Sequence, residues 1–307
     1  MIGGYESIDI LTVAGGLQVC SQLFIENYWY DPYGDNLYRR SRAESTSSPL
    51  PLQEQWKESS RPSFGLAVAF PWAAGSNVSD RYHSPFRMMI EERVLEKNMF
   101  SLKLSQNESD EGYLIFGGHY NTTFEGDLVS HPIFPPHTKH WSVEASSLSM
   151  TTIDASGNPR TLLNESLIGC QAIFSTENAA LYFPEPLFSQ ILAQLPVTQG
   201  ICHERVVDCN RLDEFPVMII GFGYQKISLT GRDYLQRVRG PPFCKRKGVT
   251  ECVPAIQLRY TPNPNLNPPE HPRAETENYI VLGLTFMEKV YSVFNHDERT
   301  ISRKLRG

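Results

Sequence analysis

Apolar and polar residues alternate over residues 6–13 (ESIDILTV) and again over 17–25 (LQVCSQLFI), with Gly15 and Gly16 between them. A period of two interrupted by a glycine pair predicts a β-hairpin, because strand side chains point to opposite faces in turn and glycine accepts the positive φ of a tight turn. The pattern then stops. Residues 26–60 shift to Tyr, Arg, Ser, Pro and Glu, with SRAESTSSPLPLQEQ at their centre. No apolar period survives there, which predicts a solvated, disordered insertion. Apolar order returns at 64–70 (FGLAVAF), and residues 85–95 space Phe86, Met89, Ile90 and Val94 for one face of a helix. Strands are predicted at 100–104, 112–116 and 124–133. A second series opens at Trp141, with strands at 141–150, 172–174, 217–221 and 280–294. Residues 186–195 predict a short helix with Leu187, Ile191 and Leu195 on one stripe. Residues 261–272 (TPNPNLNPPEHP) predict a loop, since six prolines from Pro254 to Pro272 each remove a ladder donor. The sum is an all-β chain.

Composition narrows the class only a little. A chain of 307 residues can bury one large core or two smaller ones. Its 40% hydrophobic and 20% charged content is ordinary for a globular protein. A net charge of -6 argues against nucleic acid as the main partner. No apolar run reaches the roughly 18 residues of a membrane helix, so no membrane span is expected. The opening MIGGYESIDI has neither the basic n-region nor the apolar h-region of a signal peptide. Four sequons nevertheless begin at Asn77, Asn107, Asn121 and Asn164, candidate glycosylation sites that suggest a secreted ancestry. Together these two readings predict that an N-terminal stretch has been lost. Six cysteines (Cys20, Cys170, Cys202, Cys209, Cys244, Cys252) lack close CxxC pairs, which favours a disulfide or two over a metal; no cofactor is expected.

The densest chemical signal lies at residues 169–184, GCQAIFSTENAALYFP. An apolar run (Ala172, Ile173, Phe174) enters a polar turn (Ser175, Thr176, Glu177, Asn178), and a second apolar run (179–183) ends at Pro184. This resembles the pepsin-like aspartic proteases, whose second lobe carries an apolar strand, an Asp-Thr-Gly triad, a small hydroxyl residue and another apolar strand. Other pieces follow in the family's order. Residues 100–104 (FSLKL) and 112–118 (GYLIFGG) are similar to its Phe-Ser-x-x-Leu and Gly-x-x-x-Phe-Gly-Gly pair. Residues 124–128 (FEGDL) with Pro132 resemble the strand leaving the first lobe, and His140-Trp141-Ser142-Val143 the strand opening the second. Residues 279–286 (YIVLGLTF) and 291–294 (YSVF) resemble the closing strands.

The resemblance implies a bilobal pepsin-like fold with an incomplete first lobe over residues 1–136 and a second lobe over 137–307. It also implies a disulfide from Cys209, which precedes the Pro216 strand, to Cys244 or Cys252. The departures from the family are chemical. Its enzymes activate water between two carboxylates, one per lobe, that share a proton. Gly3-Gly4-Tyr5 resembles the strand just beyond the flap, so the first Asp and the flap Tyr are expected to be absent. Ser175 stands for the second Asp, Thr176 for the Thr and Glu177 for the Gly. Leu284, Asn295 and Ser63 each replace a family Asp. A general acid or base contributes about 10²- to 10⁴-fold, so two losses predict no aspartyl chemistry. The expectation is a pseudoprotease keeping at most a peptide- or protein-binding cleft, in the secretory pathway. Two alternatives stand beside it: an active acid endopeptidase whose gene start is clipped, and a nonfunctional fragment.

Rival sites are weaker. Ser175 lacks the G-x-S-x-G turn of a serine nucleophile. His131, His137 and His140 lie in a Pro-rich connector and are expected to be solvated rather than metal-bound. Gly221 and Gly223 form a lone G-x-G with no third glycine or following helix. The basic tail Arg303-Lys304-Leu305-Arg306 is expected to be a solvated, frayed terminus.

Overall fold

The computed structural model describes residues 3–12, 18–28, 84–106, 109–120, 127–138, 140–154, 156–201, 205–237, 250–259 and 278–305, the first two segments by their backbone pairing. They belong to two compact units, Met1–Val94 and Leu95–Gly307.

In the first unit, strands β1 (Gly3–Thr12) and β2 (Gln18–Tyr28) pair antiparallel from Gly3 with Tyr28 to Thr12 with Gln18, as the alternating pattern and its glycine pair require. Residues 26–28, expected to open the insertion, instead finish β2, because the pairing with Gly3–Tyr5 carries the ladder through them. The rest of the insertion and the expected strand at 64–70 lie outside the described residues. Helix α1 (Pro85–Glu91) starts where Ser84 Oγ accepts a hydrogen bond from the Arg87 amide at 3.2 Å and Pro85 takes the first turn. It buries Phe86 and Met89. The helix stops short of residue 95 because Arg93 adopts a left-handed backbone, φ 56°.

The second unit is built on three sheets, and the all-β expectation holds there. Its strands in chain order are β3 (Met99–Lys103), β4 (Tyr113–Phe116), β5 (Val129–Pro132), β6 (Ser142–Ile153), β7 (Pro159–Phe174), β8 (Leu181–Phe183), β9 (Val207–Asp208), β10 (Val217–Phe222), β11 (Gln225–Leu229), β12 (Leu235–Arg237), β13 (Glu251–Pro254), β14 (Ile256–Leu258), β15 (Tyr279–Leu282), β16 (Val290–Asn295) and β17 (Thr300–Leu305). The largest sheet runs β11-β10-β6-β7-β15-β8-β14, a second runs β4-β3-β16-β17-β5, and a third β12-β13-β9. Pro136 lies inside this unit, since β17 pairs with β5 on one side and β16 on the other.

One face of the five-stranded sheet carries Phe116, Phe100, Phe294 and Ile301 in a row across β4, β3, β16 and β17. Phe100 and Phe294 stack at 4.6 Å, Trp141 meets both edge-on, and Phe174 meets Phe294 at 6.1 Å. Aromatic pairs in these tilted and stacked arrangements add roughly 0.5–1.5 kcal/mol each beyond the area they bury. This layer fixes the end of β7, and so the turn that follows it.

Four elements differ from the sequence reading. Strand β7 is sixteen residues long, not confined to 172–174, because its polar outer half pairs with β6. The expected strand at 280–294 breaks at Gly283 into β15, a helical turn α4 (Leu284–Met287) and β16. The helix expected at 186–195 contracts to α2 (Leu187–Leu192), burying Leu187, Phe188, Ile191 and Leu192. Finally, the basic tail is neither solvated nor frayed: Arg303 and Lys304 are buried within β17. The chain between β11 and β12 makes a further short helix, α3 (Gly231–Tyr234). The proline loop at 261–272 lies outside the described residues.

Cys209 is bonded to Cys252, which closes the choice between Cys252 and Cys244. Cys170 is a buried free thiol, pushed by burial up to about 11 and therefore inert.

Candidate functional site

Strand β15 lies between β7 and β8, parallel to the first and antiparallel to the second, with Leu282 opposite both Phe174 and Leu181. The chain leaving β7 must therefore cross the end of β15 before it can form β8. Residues 175–180 make that crossing, and Ser175, Thr176 and Glu177 all sit in it.

Backbone hydrogen bonds pin both ends of the crossing. The Phe174 amide donates to the Trp141 carbonyl at 2.9 Å and the Ser175 amide to the Leu282 carbonyl at 3.1 Å. Further on, the Leu284 amide donates to the Asn178 carbonyl at 2.8 Å, and the Thr285 amide to the Ala179 carbonyl at 3.1 Å. Thr285 Oγ1 donates to the same Ala179 oxygen at 2.9 Å. The turn and α4 thus hold one another. Gly283 is what lets them approach: a Cβ there would lie 2.2 Å from the Ala180 oxygen and 2.3 Å from the Asn178 oxygen.

Within this frame Ser175 is half-buried, while Thr176 and Glu177 are exposed. Asn178 Nδ2 donates to Ser175 Oγ at 2.8 Å. An amide is not a base, and among the described residues no His or carboxylate is hydrogen-bonded to this hydroxyl to activate it as a nucleophile. Leu284 is half-buried at the start of α4, where it offers no proton. Asn295 is buried, its Oδ1 accepting from the Glu298 amide at 3.0 Å to shape the turn into β17. Ser63 lies outside the described residues. Sequence reasoning missed Asn178, Gly283 and Thr285. Their signal was the length of the crossing: six residues must span from β7 to β8 over another strand, which demands a close backbone approach.

The other candidates are scattered by the fold. His131 sits on β5 against Gln225, Nε2 to Oε1 3.1 Å, and burial first and Arg303 second hold its pKa below the usual value. His137 and His140 are exposed in the connector. Among the described residues no cluster of three or more His, Cys, Asp or Glu is placed to hold a metal. Gly221 lies in β10, where a Cβ would meet Ser147 Oγ at 2.3 Å, and Gly223 turns the β10–β11 hairpin with φ 61°. Those glycines serve strand packing and a turn, not a phosphate. Of the sequon residues only Asn164 is described; it is exposed on β7, paired with Ser149. No helix of the described residues is long and apolar enough to cross a membrane.

The site is thus a strand threaded between the two arms of a crossing chain and capped by a hydroxyl-bearing turn, within an all-β architecture. The eukaryotic aspartyl protease family model matches residues 64–303, and the chain belongs to that family. It is 24% identical to cathepsin D of Clupea harengus over 70% of this chain and 48% of that protein. It is 23% identical to cathepsin D of Gallus gallus over 77% of this chain and 52% of that protein. Against the vacuolar aspartic protease of Candida albicans it is 23% identical over 97% of this chain and 58% of that protein. The chain therefore spans about half the length of the curated relatives it matches.

Proposed function

We propose that this chain is a pseudoprotease: a family member that binds an extended peptide or protein segment without cleaving it. The observation that carries this reading is Ser175. It follows the apolar strand where the family's second catalytic Asp stands, and its hydroxyl is held by the Asn178 amide rather than by a carboxylate. Glu177, two residues on, points to solvent and does not replace the missing base. A family reaction that shares one proton between two carboxylates cannot run on a hydroxyl at one of the two positions. Residues 1–136 and 137–307 are read as the counterparts of the family's two lobes. Passage through the secretory pathway as a glycoprotein is part of the same proposal, supported by the sequons and by relatives whose names place one of them in a vacuole.

The test is cleavage of a casein-like substrate at acid pH by the purified chain, with and without pepstatin. No cleavage is expected. Pepstatin-sensitive turnover by the unmodified chain would overturn the proposal. Running Ser175→Asp beside it shows whether position 175 alone is limiting.

A further inference from the structure

Arg303 is wholly buried in β17, yet its Nε, Nη1 and Nη2 have no hydrogen-bond partner. Its guanidinium lies 3.8 Å from the centre of the Phe222 ring and 5.2 Å from that of Phe174. Ring faces attract a cation but accept none of its five N–H bonds in a proper hydrogen bond. Directly across the ladder stands Ser292 of β16, also buried, whose Oγ has no partner either. Opposed residues of an antiparallel pair rise from the same face, Cβ atoms about 5 Å apart. An Arg and a Ser side chain, each with unmet polar atoms, thus rise from facing positions of two adjacent strands. Burial pulls the guanidinium down to about 9, so it remains a cation at neutral pH. His131 on the edge strand β5, itself basic in character, feels the Arg303 charge, which helps to lower its pKa.

We propose that Arg303, with Ser292 across the ladder, binds one compact monovalent anion, chloride or a single carboxylate. Native proteins leave few buried donors unmet, and a buried charge calls for a counter-charge with hydrogen bonds. A monoanion supplies both, whereas water supplies only the hydrogen bonds. A larger or more highly charged ligand does not suit a buried layer in which the Phe222 ring already lies 3.8 Å from the guanidinium.

The experiment measures Tm of the intact chain in sodium chloride, sodium formate and sodium sulfate at matched ionic strength, for the native sequence and for Arg303→Met and Ser292→Ala. Met is close to Arg in length and removes the charge from an apolar layer, so this variant is expected to fold. The native chain should show a saturating rise of about 5 °C in chloride or formate. The rise should vanish in Arg303→Met and weaken in Ser292→Ala. The salt that saturates at lower concentration tells chloride from carboxylate. Chloride-35 NMR of the native chain is the second measurement, with line broadening that formate reverses. Equal salt responses in native and Arg303→Met chains, or broadening that formate leaves unchanged, would sink the proposal.

Discussion

A methyl group at position 283 would press on two backbone oxygens, those of Ala180 and Asn178, at 2.2 and 2.3 Å. The φ of Gly283 is -79°, open to any residue, so the objection is space alone. Gly283→Ala is expected to destabilise the chain by about 1–3 kcal/mol, read from urea midpoints, because the Asn178 oxygen cannot retreat without breaking the hydrogen bond it accepts from the Leu284 amide. A midpoint unchanged by this substitution would show that the crossing at 175–180 is looser than described. His131 gives a second residue-scale expectation. Its folded pKa is depressed, so between that value and the ordinary ~6.5 the unfolded chain takes up the proton first, and stability rises with pH across this window. Unfolding curves at pH 5 and 7.5 should show the native chain losing more stability in acid than His131→Phe does. At this scale the placement of Ser175, Thr176 and Glu177 in a turn was legible, because two apolar runs bracket them. Gly283 and Asn178 were not, since their roles depend on which strands end up adjacent. Arg303 was hidden for a different reason: Arg and Lys mark solvent by default. Only the same-face spacing of Ile301, Arg303 and Leu305 within a strand hinted otherwise.

Among the elements, the β9–β13 pairing is closed by the disulfide from Cys209 to Cys252, spanning 43 residues. In the chain-entropy account a loop of that length is worth about 4 kcal/mol. Cys252→Ser or a reductant should lower the urea midpoint accordingly, while a shift below about 1 kcal/mol would mean the three-stranded sheet holds its own ends. Strand existence was well read from alternation; strand extent was not. The outer half of β7, from Pro159 to Gly169, is polar and largely exposed, and only its partner β6 makes it a strand. The run at 280–294 misled in the opposite way. Its apolar residues look continuous, but they serve a strand, a helical turn and another strand, each buried for its own reason. Hydrophobicity reports burial before it reports shape.

At the scale of the molecule, the strand order β4-β3-β16-β17-β5 brings Met99–Lys103, Tyr113–Phe116 and Val129–Pro132 together with Val290–Asn295 and Thr300–Leu305. Ser130 and Ser302, 172 positions apart, share a hydrogen bond through their hydroxyls. The all-β class and the family were legible from ordered local motifs, whereas this long-range closure was not, because nothing local marks β5 as the partner of a basic tail. Deleting residues 300–307 should therefore do more than shorten a terminus. It strips β5 and one flank of β16 of their ladders, and size-exclusion chromatography is expected to show more aggregate for the product than for the full chain.

The placement of β17 also bears on how the chain is made. A ribosome adding residues in order releases β5 long before β17 exists, and the sheet that holds β5 cannot close until Thr300–Leu305 has left the exit tunnel. Between the emergence of β5 and that of β17 the nascent protein carries an open strand edge, so its maturation depends on whatever shields that edge over this interval.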